Sequence, residues 1–184
     1  MAKEIFEWIK SIVFALVIVL IFNLFFGITT VYNTSMVPTL VEGDMVFVSK
    51  IAGISHGDII TFETEITLSQ ADLNTLSPIK RIFVSDDTHK NLIKRIIGMP
   101  GDKVDIIDGK VFVNDQLMIE DYIDSGTNGN THIEAVPEDK FFVMGDNRLV
   151  SLDSRSEIIG LIDKEKIIGV AVFRFWPLLE FTLL

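Results

Sequence analysis

No charged residue occurs between Ser11 and Val41, and from Ile12 to Ile28 nearly every position is Ile, Val, Leu or Phe. About 20 such residues in a helix span about 30 Å, the thickness of a hydrocarbon core. A core helix of a globular domain would show a polar face, and here Asn23 is the single strongly polar residue. A cleaved leader would have a shorter apolar core followed by a small-x-small site, which Gly27–Thr29 matches poorly. The pattern therefore predicts a retained membrane helix within an anchor over residues 1–30. Lys3 and Lys10 precede the apolar run and the next basic residue is Lys50. One such run predicts a single pass, and counting Lys and Arg alone predicts a cytoplasmic N-terminus with residues 31–184 on the extracytoplasmic face.

Beyond the anchor the period changes. Residues 44–50, 58–63, 103–107, 110–114, 140–144 and 167–175 are short runs rich in Val, Ile and Phe, often alternating with polar residues, and they predict strands. Asp108–Gly109 between two of them is a hairpin signal. Residues 64–79 are polar with weak helical periodicity, and 124–132 predict a loop tip. The C-terminal FRFWPLLEFTLL is too short for a second span. It is expected mainly to complete the core, with Phe175 and Trp176 as candidates for the bilayer surface. The fold class that follows is mainly β, an antiparallel sheet domain over 31–184 on one N-terminal transmembrane helix.

Composition removes several function classes. The absence of cysteine excludes disulfides and thiolate chemistry. A net charge of −10 argues against a nucleic-acid partner, and no basic cluster suits anionic head groups. No pair of histidines has metal-ligand spacing, and no Gly-rich loop matches a nucleotide fingerprint, so neither metal nor cofactor is expected.

What remains is a serine without an obvious base. Ser35, in NTSMVPTL, lies just after the apolar run. His56 precedes a strand as part of a turn, His89 sits among charged residues and His132 lies in a polar loop, so none has a distinctive setting. A triad assembled in space stays open at this point. In NLIKRIIGMPGD, Lys94 is the charged member of a strand face shared with Leu92 and Ile96, while Arg95 points the other way. An edge-strand lysine that discourages aggregation would look the same. As a base it would need its pKa lowered by burial, because only about 1 in 2,500 lysines is neutral at pH 7 at the ordinary value. MGDNRLVSLDSR, 144–155, offers Ser151 as a neutral hydrogen-bond acceptor for such an amine, within what could equally be a polar turn held by an Asp–Arg pair.

Taken in order, the anchor, SMVPTL, GDMVFVSK, HGDIITFE, KRIIGMPGD and GDNRLVSLDSR resemble the type I signal peptidases, membrane-bound Ser–Lys proteases, over nearly the whole chain. The resemblance implies Ser35 as nucleophile, Lys94 as general base, Ser151 as the residue orienting it, and Asp153 with Arg155 as a supporting pair. Arg95 and Asp146 would form a second pair. The Ser35 N–H would serve the oxyanion, and Asn33 stands where some members carry a serine as second donor. Met36, Leu40, Ile93, Tyr32 and Val31 would line two shallow pockets for small side chains, giving an A-x-A preference. The implied partners are secretory preproteins and the phospholipid bilayer. Other Ser–Lys peptidases of similar fold, such as pilus-maturation enzymes or self-cleaving repressors, and a tethered binding domain without catalysis are the alternatives. The anchor opposes the repressors, and Lys94 opposes the histidine-based variant of the endoplasmic reticulum.

Overall fold

A computed structural model describes residues 2–75, 81 and 88–184. Helix α1 (Ala2–Phe25) is followed without a linker by strand β1 (Phe26–Thr30). Then come β2 (Met45–Ser49), β3 (Ile59–Thr67), the short helix α2 (Gln70–Thr75) and β4 (His89–Gly98). β5 (Val104–Ile107), β6 (Lys110–Val113), β7 (Gln116–Leu117) and β8 (Thr131–Ile133) form a four-stranded sheet in the order β7-β6-β5-β8. β9 (Lys140–Met144), β10 (Ile162–Asp163), β11 (Ile167–Trp176) and β12 (Thr182–Leu183) return to the larger sheet, ordered β1-β2-β11-β3-β4-β9-β10 with β12 against β11. All pairings are antiparallel.

The apolar residues of α1 lie outside the protein core, and none of its most apolar window is buried. A core helix would be covered, so the helix has the length, composition and exposure of a membrane span. It stops at Phe25, five residues before the boundary at 30 predicted from hydropathy. Residues 26–30 are instead sheet, paired from Phe26↔Ser49 to Thr30↔Met45. The junction is fastened by the Lys50 N–H donating to Phe25 O and by Lys50 Nζ donating to Asn23 O, both at 2.8 Å. Phe26, Phe47 and Phe173 continue across β1, β2 and β11 as touching rings, the last pair stacked at 4.7 Å.

Every run read as a strand contains one, and the Asp108–Gly109 turn has both residues at positive φ, as a two-residue hairpin requires. The stretch 64–79 divides: β3 extends to Thr67, α2 follows, and residues 76–79 lie outside the described residues. The C-terminal segment differs from expectation. Leu178, Leu179, Phe181 and Leu183 are exposed, Trp176 is half-exposed, and Leu184 packs against a core cluster.

Among the described residues, three apolar clusters hold the domain. Val31, Met36, Leu40, Val46, Ile59, Ile93 and Ala171 form one, directly behind the chain that carries Ser35. Ile60, Phe62, Ile96, Val143 and their neighbours form the second. The third joins the small sheet to the large one through Ile97, Val104, Ile106, Val111, Phe142 and Met144. Gly98 sits at this junction, where a Cβ would approach the Val104 side chain to 2.7 Å, so a side chain there would push the sheets apart.

Candidate active site

Ser35 lies in a turn a few residues beyond β1, and Lys94 lies in β4. The sheet brings them together although 59 residues separate them: Lys94 Nζ donates to Ser35 Oγ at 2.7 Å and to the Ile93 carbonyl at 2.8 Å. Lys94 is 1% exposed and Ser35 8%. Burial disfavours the ammonium and lowers the Lys94 pKa to about 8, against the opposing pull of the Asp153 and Asp146 charges. The amine donates to neutral oxygens, so no carboxylate bonded to it restores the ordinary value. A primary amine that is partly neutral near pH 8, hydrogen-bonded to a serine hydroxyl, can accept that hydroxyl's proton.

The surrounding charges are paired. Arg95, on the opposite face of β4, donates through Nε and Nη2 to the two Asp146 oxygens at 2.9 and 2.6 Å. Thr39 Oγ1 donates to the same carboxylate at 2.5 Å, tying the segment after Ser35 to the 145–147 segment. Arg155 makes a two-point contact with Asp153 at 2.8 Å for each bond. Burial works to raise the Asp153 pKa, but Arg155, the Gly145 N–H and the nearby Ser151 hydroxyl hold it below the usual carboxylate range. Ser151 itself is not bonded to Lys94. Its buried hydroxyl lacks a hydrogen bond of good geometry and packs against Gly145, with the Ile93 carbonyl taking the second proton of the amine.

Two backbone contacts fix the loop that carries Ser35. The Asn147 N–H donates to Ser35 O, and Asn147 Nδ2 donates to Thr34 O, both at 3.0 Å. The Ser35 N–H, expected to face an oxyanion, is engaged by Asn33 Oδ1 at 3.0 Å. Asn33 thus acts here as an acceptor rather than as a second donor, because its side chain is long enough to fold back on the amide two residues ahead.

A cleft of about 630 Å³ opens beside the pair, with Tyr32, Asn33, Leu92, Val150 and Leu152 among its walls. Of the five residues expected to line pockets, Tyr32 faces this cleft. Met36, Leu40, Val31 and Ile93 are closed into the first core cluster, Met36 and Leu40 from the turn that follows Ser35 and Ile93 from β4.

Sequence reasoning missed a buried assembly behind the site. Arg148, fully buried, pairs with Glu120 and donates to Thr127 Oγ1 at 2.6 Å and to Gly145 O at 3.1 Å. Tyr122 lies under the Arg95 guanidinium, 4.0 Å from ring centroid to its carbon, and donates to Glu120 Oε1 at 2.9 Å. The loop following β7 therefore braces the segment that holds Ser35. Arg148 in GDNR was the visible half of this signal; nothing nearby in sequence marks Glu120 and Tyr122 as its partners.

The histidines are elsewhere. His56 Nε2 and His132 Nδ1 each lie 2.6 Å from an aspartate, Asp102 and Asp105, and His89 lies near Glu63. Among the described residues no three acidic or histidine side chains are grouped to hold a metal ion.

Residues 5–176 match the family model described as "Signal peptidase, peptidase S26". The chain is 34% identical to signal peptidase IB of Staphylococcus aureus strain COL, over 98% of this chain and 94% of that one. It is 33% identical to signal peptidase I of Bacillus licheniformis, over 97% and 92% respectively. The crystal structure of a signal peptidase I from Enterococcus faecalis aligns with a TM-score of 0.48 at 24% identity, covering 65% of this chain and 97% of that one.

Proposed function

The chain belongs to the signal peptidase family, peptidase S26, which makes it a serine endopeptidase, and from that membership we propose that it removes signal peptides from secretory preproteins with Ser35 as nucleophile and Lys94 as general base. The observation that carries this reading is the 2.7 Å hydrogen bond between the Lys94 amine and the Ser35 hydroxyl, in surroundings that lower the lysine pKa.

In this mechanism neutral Lys94 takes the Ser35 hydroxyl proton as Oγ attacks the scissile carbonyl. The ammonium so formed is stabilised by the Asp153 and Asp146 charges, which are close enough to favour it. It then returns its proton to the leaving amine as the C–N bond breaks, leaving an ester on Ser35. A water molecule gives a proton to Lys94 as its oxygen attacks the ester carbonyl, and Lys94 passes that proton to Ser35 Oγ as the C–O bond breaks, releasing the signal peptide and restoring the serine and the neutral amine. The tetrahedral oxygen of each step needs a donor. Substrate entry displaces the Asn33 carbonyl from the Ser35 N–H, and Nδ2 of the turned Asn33 side chain supplies the second hydrogen bond. Ser151, adjacent to Gly145, takes up the amine when Ser35 is acylated and no longer faces it.

The substrate lies extended in the cleft, with small side chains at the first and third positions before the scissile bond. Helix α1 spans the cytoplasmic membrane with its N-terminus in the cytoplasm, a reading supported by its bare apolar surface and by Lys3 and Lys10. The exposed apolar C-terminal residues, following β11 beside β2, give the domain a surface that can rest on the phospholipid bilayer.

The test is cleavage of a preprotein with an A-x-A site by the full-length protein in detergent. Wild type cuts at that site, and Ser35→Ala and Lys94→Met, each folded by circular dichroism, lose at least about 10³-fold in rate. Normal cutting by Lys94→Met would sink the assignment of the base.

A further inference from the structure

The cleft is longer than the three positions that an A-x-A site occupies. Lys94, Leu92 and Lys90 share one face of β4 and all three line it, so the wall extends four residues upstream of the base. At about 3.3 Å per residue, that is about 13 Å of extended chain. The opposite wall runs from Ser35 back to Ile28, three residues after the end of α1. The end remote from Ser35 is therefore the end nearest the helix. A substrate whose signal peptide is in the membrane has the residues preceding its scissile bond there.

What closes that end is the segment following the regular part of β3. β3 pairs in register with β4 from Ile59↔Arg95 to Glu63↔Asn91, then shifts before Thr67↔His89. The displaced end is held to the strand by Thr64 Oγ1 donating to Lys90 O at 2.9 Å and by the Leu68 N–H donating to Thr88 O at 3.0 Å. Ile66 and Leu68, two residues apart, both reach the cleft. An ion pair of 2.7 Å between Asp72 of α2 and Lys90 tacks the helix over the same end. The result is an apolar recess of Ile28, Ile66, Leu68 and Leu92, with the nearby charges paired to each other.

We propose that Ile66 and Leu68 form a specificity subsite that selects an apolar side chain about five residues before the scissile bond. This rests on the signal peptidase reading. Lys90 lies four strand residues from Lys94, so a substrate strand with its first position at Ser35 puts its fifth beside Lys90. A leucine there is partly withdrawn from water against Ile66 and Leu68, whereas an aspartate would lose hydration without gaining a free cation, because Lys90 is engaged by Asp72.

The experiment uses full-length protein in detergent and two preproteins with the same A-x-A site, differing only in Leu or Asp at the fifth position before the bond. Wild type gives a kcat/KM ratio of about ten in favour of Leu. The double variant Ile66→Ser with Leu68→Ser brings the ratio to between one and two. Each ratio is taken within one enzyme, so a smaller folded fraction cancels from it. Leu68→Asn alone, which gives an intermediate ratio, serves if the double variant does not fold. A wild-type ratio near one, or a tenfold ratio that survives both sets of changes, overturns the subsite. Cutting of neither substrate by wild type would instead overturn the signal peptidase reading.

Discussion

Two hydrogen-bonded pairs in this molecule, one at each sheet, shift their bases in opposite directions. In the four-stranded sheet His132 and Asp105 lie 2.6 Å apart, and the histidine side chain is 62% exposed to water. The bond to Asp105 raises the His132 pKa, and the same bond lowers that of Asp105. In the eight-stranded sheet Lys94 and Ser35 are almost as close, but water is excluded and the shift is in the other direction. Proximity of a base to an acid or hydroxyl is common to both. The difference is that burial, in the Lys94 case, makes the uncharged base available, while a carboxylate partner makes the water-exposed histidine a better cation.

The strongest way to break this contrast is to disturb what keeps the larger sheet's site dry and paired. Glu120→Ala leaves Arg148 as a buried charge without its carboxylate, and should lower the unfolding free energy by about 3–5 kcal/mol in denaturant titration. Gly145→Ala acts at closer range. A Cβ there would come within 2.4 Å of Ser35 O and 2.2 Å of Ser151 Oγ, so Ser35 must move. A displacement approaching 1 Å should reduce kcat/KM by about 10²-fold in a preprotein assay.

A pH series sharpens the comparison without any mutation. With a Lys94 pKa of about 8, the neutral base is about 10% of the protein at pH 7 and about 90% at pH 9. The kcat/KM should therefore rise by roughly ninefold between those values, with the rise centred near pH 8. A rise centred above pH 10 would mean that burial does not reach the amine. The smallest effect is expected at the solvated pair: His132→Gln should leave kcat/KM within about twofold across the same series.

Strands β2, β3, β4, β9 and β11 of the large sheet were legible because their Val, Ile and Phe often alternate with polar residues, and the small sheet's hairpin was legible through Asp108–Gly109; the two-residue strands β10 and β12 are too short to leave such a pattern. β1 was not, since its Phe and Ile continue the composition of the helix before it; only the hydrogen-bonding of residues 26–30 to β2 separates strand from helix. The residues alone left the partner of Ser35 open, and Lys94 was named as its base only through the resemblance to the signal peptidases; the amine's bond to the Ile93 carbonyl depends on backbone direction, which residue types do not encode. The burial of Met36 and Leu40 was hidden for a similar reason, because a turn rather than a periodic element decides which way they point. Glu120 and Tyr122 were the least visible: an acid and a phenol in a polar loop become structural only through contact with Arg148 and Arg95.

The direct passage from α1 to β1 gives the enzyme something like a ruler. With no flexible hinge between Phe25 and Phe26, and Lys50 clamping the joint from the neighbouring strand, the height of Ser35 above the helix end is fixed by the nine residue steps from Phe26 to Ser35. Even fully extended, those steps reach no more than about 30 Å. With α1 in the bilayer, a peptide bond would have to be presented at that elevation to be cut. A sequence resembling a cleavage site but held farther out on a folded secreted protein would be out of range, whatever its local residues.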